Sequence, residues 1–306
     1  MNKIKIAVLL TCHNRQLKTR NSLSSLVQAL KETNHNAEYF VEVEVFLTDD
    51  GCTDGTVEAA QSVVLDQQKL HILHGDGNLY WAGGMRFCWR EAMKRHVEWD
   101  YYLLLNDDTE LMTNVFHELF FAETYAVRNF GKEGIVSGIT CSKINKNELT
   151  YGGDVWMNRF LAKRKSLTPN GRPQLCDLTN ANILLVPKSV VDGIGIFYEG
   201  YRHGKADYDY SVMARKAGYP VILTANYCGY CERDHMNNES YSQKILSMNF
   251  KERKAFFANP IHSNRDYMRF ISRTSPVRMP MVWIGRKLIV YCPKLYFRLY
   301  GIRNRI

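Results

Sequence analysis

Between residues 4 and 105, short apolar runs alternate with segments whose apolar residues recur at helical spacing. This alternation restricts the chain to very few architectures. Ile4–Leu10 reads as a buried strand, and Leu23, Leu26, Val27 and Leu30 mark the helix after it. Val41–Thr48 is a second strand, followed by a helix carrying Val57, Ala60, Val63 and Val64. Leu70–Leu73 is a third strand. The next helix shows an apolar face of Met85, Cys88, Trp89, Ala92, Met93 and His96, and Tyr101–Leu105 is a fourth strand. Strands joined by crossover helices run parallel and are covered on both faces, so they read as continuous apolar runs. The expected class is α/β, with a mostly parallel sheet flanked by helices.

Past Asp108 the rhythm loosens. The spacing predicts a helix over Asn114–Asn129, a strand over Ile135–Ile139 and another over Ile183–Val186. The polar stretch Asn145–Pro173 reads as a hairpin with a mobile loop. Tyr210–Ala217 is a helix stopped by Gly218, and Val221–Leu223 a further strand. From about Asn237 the chain is helical and aromatic-rich, then basic. No internal repeat is present.

The composition, 45% hydrophobic and 23% charged over 306 residues, suits a large core and carries no signature of disorder. The net charge of +9 favours acidic partners, and the excess is segregated: between Arg265 and Arg305 the cations face a single acid, Asp266. No nucleic-acid recognition motif accompanies them, so a nucleic-acid partner is not expected. Eight scattered cysteines give no disulfide framework and fit a reducing cytosol. The first residues turn polar at Thr11, too early for a secretory signal. The best apolar run, around Met279–Pro293, is interrupted by Arg286 and Lys287, so no spanning helix is expected. These features imply a cytoplasmic protein, peripheral at most to the inner face of the membrane.

Three acidic clusters stand where strands should hand over to loops or helices: Asp49-Asp50-Gly51, Asn106-Asp107-Asp108, and Asp207-Tyr208-Asp209 just ahead of the helix ending at Gly218. In open α/β sheets, ligands bind beyond the carboxyl ends of the strands. Each cluster also has a plain reading, as an Asx turn or a helix N-terminus. Together, crowded carboxylates repel unless a divalent cation and a phosphate-bearing ligand sit among them. Gly75–Gly84 is neither a phosphate-loop motif nor a dinucleotide fingerprint. It serves either close helix–strand packing or the approach of backbone amides to a diphosphate. Cys228-x-x-Cys231 with His235 falls short of the four ligands of structural zinc and reads as buried thiols. His71 and His74 read as incidental.

As an ordered set these residues resemble the family-2 glycosyltransferases of the GT-A fold, a Rossmann-like architecture, of the bacterial cell-surface polysaccharide type. The resemblance is carried by Thr11-Cys12-His13-Asn14-Arg15, Thr48–Thr56, Leu105–Thr109 and Ala206–Ser211, with Arg215 and Gly218 behind. It implies inverting transfer of a sugar from a nucleoside-diphosphate donor to a glycan acceptor, lipid-linked in such a setting, with Mg2+ or Mn2+ as cofactor. Thr11, Arg15, Asp49, Asp50, Asn78, Trp81 and Asp107 would bind the donor. Asp107 and Asp108 would hold the metal, with Asp108 the direct ligand. Asp207 would be the base and Asp209 the second acid. Asn182 and His203 would line the acceptor side. Ala206 stands where the family carries an acid, and Asn106 replaces the first acid of the metal motif. The division implied is a catalytic domain over 1–235, with a nucleotide-binding half over 1–110 and an acceptor half over 111–235. A basic helical extension would span 236–306 and meet an anionic membrane surface or cap the domain.

Two rivals are a sugar-nucleotide pyrophosphorylase and a non-catalytic nucleotide-sugar or polysaccharide-binding protein. The first would carry a glycine-rich, basic phosphate loop after the first strand, where this chain has Cys-His-Asn-Arg. Retention of Asp107, Asp108 and Asp207 weighs against the second.

Overall fold

The computed structural model describes residues 2–36, 39–63, 69–233 and 238–300. Val64, His235, Asn237, Arg303 and Arg305 lie outside the described residues. The first half follows the expected rhythm: β1 (Asn2–Cys12), α1 (Gln16–Asn36), β2 (Tyr39–Asp49), α2 (Thr56–Val63), β3 (Leu70–His74), α3 (Tyr80–Lys94) and β4 (Tyr101–Leu105). β4, β1, β2 and β3 lie side by side and parallel. Alternate residues of β1 explain the layering. Ile6, Val8 and Leu10 pack with Leu23 and Leu26 of α1, while Ala7 and Leu9 pack with Met85 and Trp89 of α3. Both faces are thus covered, and β1 is buried from Ile6 to Leu10.

The second half widens the sheet. It contributes β5 (Glu110–Leu111), α4 (Val115–Phe130), β6 (Ile135–Cys141), β7 (Leu149–Tyr151), β8 (Gly153–Asn158), β9 (Lys163–Ser166), β10 (Gln174–Leu175), β11 (Leu178–Thr179), β12 (Ile183–Pro187), α5 (Lys188–Ile194), α6 (Ala206–Lys216) and β13 (Val221–Tyr230). Among the described residues the main sheet runs β10–β13–β6–β12–β4–β1–β2–β3, with β5 on β13 and β7 on β6. β12 is antiparallel to both its neighbours, β4 and β6. β11, β8 and β9 form a small antiparallel sheet. The chain ends in α7 (Asn238–Ser247), α8 (Phe250–Ala258), α9 (Asn264–Thr274), α10 (Met279–Tyr291) and α11 (Pro293–Tyr300). The architecture is mixed α/β with a mostly parallel central sheet, flanking helices and a helical C-terminal region, consistent with GT-A.

Four expectations shift. α3 starts at Tyr80, inside the expected glycine loop, and Met93 and His96 are exposed. Trp89 and Trp99 fill the core at that end instead. α6 starts at Ala206, so Asp207 and Asp209 lie in its first turn and not ahead of it. Over Asn145–Pro173 the expected hairpin is β8 paired with β9, and β7 takes up part of the expected loop. Finally, Tyr267, Phe270, Ile271 and Val282 join the same core as Trp89 and Tyr210, while Ile245, Phe257, Ile289 and Val290 form a separate small cluster. α9 and the start of α10 are therefore packed into the sheet domain.

Candidate active site

β4, β1 and β2 are parallel neighbours, so their carboxyl ends lie side by side at one edge of the sheet. Three of the four non-glycine residues at positive φ among the described residues stand at helix starts, those of α1, α3 and α6: Asn14 (52°), Tyr80 (55°) and Lys205 (73°). Such conformations cost free energy and concentrate at functional sites.

Asp50 is buried, and its carboxylate accepts from three backbone amides: Gly77 (2.9 Å) and Leu79 (3.3 Å) on Oδ1, and Tyr80 (3.0 Å) on Oδ2. It shapes the β3–α3 loop. The next amides of α3, at Ala82 and Gly83, donate to the Arg202 carbonyl (3.1 and 3.4 Å). The Tyr80, Ala82 and Gly83 amides of this N-terminus are thus engaged within the chain. The packing reading holds: a Cβ on Gly84 would lie 2.1 Å from Thr11 Oγ1, and Thr48 Oγ1 donates to the Gly84 carbonyl (2.9 Å). Thr11 is accordingly a packing residue under α3. Asp49 Oδ1 accepts from the Cys52 amide (2.7 Å), and Oδ2 pairs with His74 Nδ1 (3.1 Å). Burial would lift the Asp49 carboxyl, but the Cys52 and His74 contacts outweigh it and hold it below the usual carboxylate range. Asn78 is exposed, and its carbonyl accepts from Arg202 Nη2 (3.3 Å).

The turn after β4 is wired on every side. Asn106 Oδ1 accepts from Trp81 Nε1 (2.8 Å), its amide donates to the Asn182 carbonyl (3.0 Å), and its carbonyl accepts from Ser22 Oγ (3.2 Å). Trp81 thus braces the turn from α3. Asn182 is buried, with Nδ2 donating to Thr109 Oγ1 and Cys231 Sγ (3.4 Å each). These bonds make it a brace of the same turn. Arg15 Nη1 lies 3.1 Å from Asp107 Oδ1 and 2.8 Å from Asp108 Oδ2, and Lys18 Nζ lies 4.0 Å from Asp108 Oδ2. Burial pushes the Asp107 carboxyl up to about 7, with Asp108 adding to the rise, against the opposing pull of Arg15.

Asp107 Oδ2 is buried with no hydrogen-bond partner among the described residues. An orphaned carboxylate oxygen beside a second carboxylate fits a hard dication of the kind held by one or two acids and the substrate's phosphates. Among the described residues no three His, Cys, Asp or Glu are grouped to cage a metal with protein atoms alone. Cys228 Sγ donates to Thr224 Oγ1 (3.3 Å) and Cys231 Sγ lies 3.6 Å from Asp108 Oδ1; both are buried thiols.

At the start of α6 Asp207 Oδ1 accepts from the Tyr208 amide (2.9 Å). Burial lifts the Asp207 carboxyl above its usual range, and the amide bonds and the Lys205 charge offset only part of the rise. Asp209 faces elsewhere: both its oxygens accept from Arg273 Nε of α9 (2.9 and 3.0 Å). Asp266, also on α9, accepts from the amides of Arg202 (3.2 Å) and His203 (3.0 Å), and Arg269 donates to the Gly200 carbonyl. The His203 ring meets Tyr80 edge-on at 6.4 Å. α9 therefore holds both the start of α6 and the segment that caps α3. Sequence reading missed Asp266, Arg273 and Trp81's bond to Asn106; a lone acid in a basic segment was the one visible signal.

Residues 7–125 match a family model described as glycosyl transferase family 2. The match runs from β1 into α4 and takes in Asp49, Asp50, Asp107 and Asp108, stopping well before α6. It supports a glycosyltransferase, with a nucleotide-sugar donor and a glycan acceptor in general terms. No curated protein matches the chain.

Proposed function

We propose that this chain is an inverting glycosyltransferase that moves a hexosyl or deoxyhexosyl group from a nucleoside-diphosphate donor to a hydroxyl of a lipid-linked glycan in cell-surface polysaccharide synthesis. One observation carries the reading. The Thr179 amide donates to Ser211 Oγ of α6 (3.3 Å), and three residues on the Asn182 carbonyl accepts from the Asn106 amide (3.0 Å). One short segment thus ties the helix of the candidate base to the acidic turn, so proton acceptance and diphosphate departure would occur close together.

Asp207 would take the proton of the acceptor hydroxyl. That oxygen would then attack the anomeric carbon from the face opposite the diphosphate, inverting the linkage. Mg2+ or Mn2+ held by Asp107, Asp108 and the donor's phosphates would offset the charge on the leaving diphosphate. Arg15 and Lys18 add positive charge at the same place. Asp209, engaged by Arg273, would position α6 and not serve as base.

A peripheral membrane setting is supported by α10 and α11. α10 buries Val282, Ile289 and Val290 but exposes Trp283 (54%) and Ile284 (50%); Leu295 and Leu299 of α11 are also exposed. Lys287, Lys294 and Arg298 lie among them. Among the described residues no helix is long and apolar enough to cross a membrane.

The test is a panel of nucleotide sugars with Mg2+ or Mn2+, reading release of nucleoside diphosphate. Release only in the presence of acceptor glycan, lost in Asp207→Asn, is expected. Formation of nucleoside triphosphate from sugar nucleotide and pyrophosphate would establish the pyrophosphorylase instead. Tight donor binding without turnover for any acceptor would favour the binding protein.

A further inference from the structure

Beside Asp207, three cations gather without a matching set of anions. Lys205 Nζ lies 4.9 Å from the centre of the Tyr208 ring, and the Arg164 guanidinium lies 5.3 Å from it. Arg286, reaching over from α10, stacks on Tyr267 at 3.9 Å and repels Lys205. Arg164 comes from β9, so a small sheet, a helix start and the C-terminal region each send one cation to this recess. Two carboxylates are near. Asp154 is engaged by Arg164 Nη1 (3.0 Å) and Ser166 Oγ (2.6 Å), and Asp207 by the Tyr208 amide (2.9 Å). Among the described residues, neither Lys205 nor Arg286 has an ion-pair or hydrogen-bonding acceptor; each faces an aromatic ring.

Like charges brought together in a half-buried recess repel, and their donors lose water without gaining acceptors. Lys205 is also held at a left-handed φ of 73°, the backbone feature that turns the chain into α6. These costs are offset if a multiply charged oxyanion enters, because guanidinium forks and an ammonium together match its oxygens.

We propose that Arg164, Lys205 and Arg286 form a phosphate-binding subsite next to Asp207, which holds a phosphate group carried by the acceptor and so presents the acceptor hydroxyl to the base. This rests on the reading of Asp207 as the acceptor-side base, but the subsite can be tested without any transferase assay. It differs from the donor site, whose phosphates would meet Asp107, Asp108 and Arg15. Burial and Arg164 hold the Lys205 ammonium down to about 8, so an amine reagent at mildly alkaline pH finds it reactive.

The experiment is pulse labelling of the full chain with an amine-selective reagent, mapped lysine by lysine by mass spectrometry. Inorganic phosphate should slow Lys205 labelling by about tenfold at about ten times its Kd, by mass action. Lys69 and Lys294 should be unaffected at matched ionic strength. Arg286→Gln and Arg164→Lys, each checked for folding by circular dichroism, should weaken that protection. Asp108→Ala, which impairs only the donor side, should keep it. Phosphatidylglycerol vesicles that protect Lys205 where inorganic phosphate also does would identify a lipid headgroup as one source; phosphate protection without any vesicle effect would identify a glycan-borne or lipid-diphosphate group. Equal labelling with and without millimolar phosphate would overturn the subsite, as would protection spread evenly over all lysines or left unchanged in both arginine variants. Protection by glucuronate but not by phosphate would overturn the phosphate assignment. A protected Lys205 in a chain that never transfers sugar would leave the subsite standing and refute only the transferase reading.

Discussion

Arg273→Met would strip Asp209 of the partner that holds α9 on α6. The Asp209 side chain is 3% exposed and that of Arg273 29%, so the pair is dry enough for its removal to be felt. Breaking one side of a buried pair typically costs about 3–5 kcal/mol, because the remaining charge is left without compensation. At about 2–4 °C per kcal/mol for a domain near this size, the melting temperature should fall by roughly 6 °C or more. Burial already lifts the Asp209 carboxyl above its usual range despite Arg273, so desolvation outweighs the attraction in this pair. Two consequences follow. Asp209→Leu with Arg273→Met should recover most of the loss, since both desolvation penalties vanish together. In Arg273→Met alone, the folded-state pKa of Asp209 lies still further above its unfolded value of about 3.9. The variant's deficit should therefore be smallest below that value, grow as pH rises and level off above the folded pKa. Urea and thermal unfolding of the wild type, both single variants and the double variant, at acidic and mildly alkaline pH, measure all of this. A single variant within about 0.5 kcal/mol of wild type, or a double variant no better than the single, would refute the assignment of Asp209 to structure.

Asp207→Asn keeps shape and removes basicity, so turnover should fall by about 10²–10⁴-fold with donor affinity near wild type. Because burial raises the Asp207 carboxyl, wild-type activity should be lost as pH falls through a value above that of an ordinary aspartate; a flat acidic limb would contradict the role. Asp108→Ala should abolish catalysis and weaken calorimetric donor binding in Mn2+, and equal affinity with and without metal would remove the metal from the site. Full-length protein should sediment with anionic vesicles at low salt and release as salt rises, since the attraction is screened over about 10 Å at 0.1 M. Trp283→Ser with Ile284→Ser should reduce that sedimentation while the protein stays folded, and sedimentation unchanged by the pair would reduce α10 and α11 to a cap.

What the chain states locally could be read locally. Runs such as Ile4–Leu10 and Tyr101–Leu105 are apolar because both faces of the sheet are covered, and their order fixes strands, crossover helices and the line of acids beyond them. The acids themselves look alike in sequence. Asp49 and Asp50 are neighbours, yet Asp50 spends its oxygens on three amides of a loop some 27–30 residues away. Asp207 and Asp209 are two apart on one helix, and only the 64-residue return of Arg273 separates a candidate base from an anchor. Arg15 reaches Asp107 across 92 residues, and Lys205 and Arg164 come to the Tyr208 ring from different elements. Periodicity records which face of an element is buried, a property of consecutive residues. The work of a carboxylate or an ammonium depends on which donors, acceptors and charges the fold brings against it, and that is decided only when distant segments close on one another.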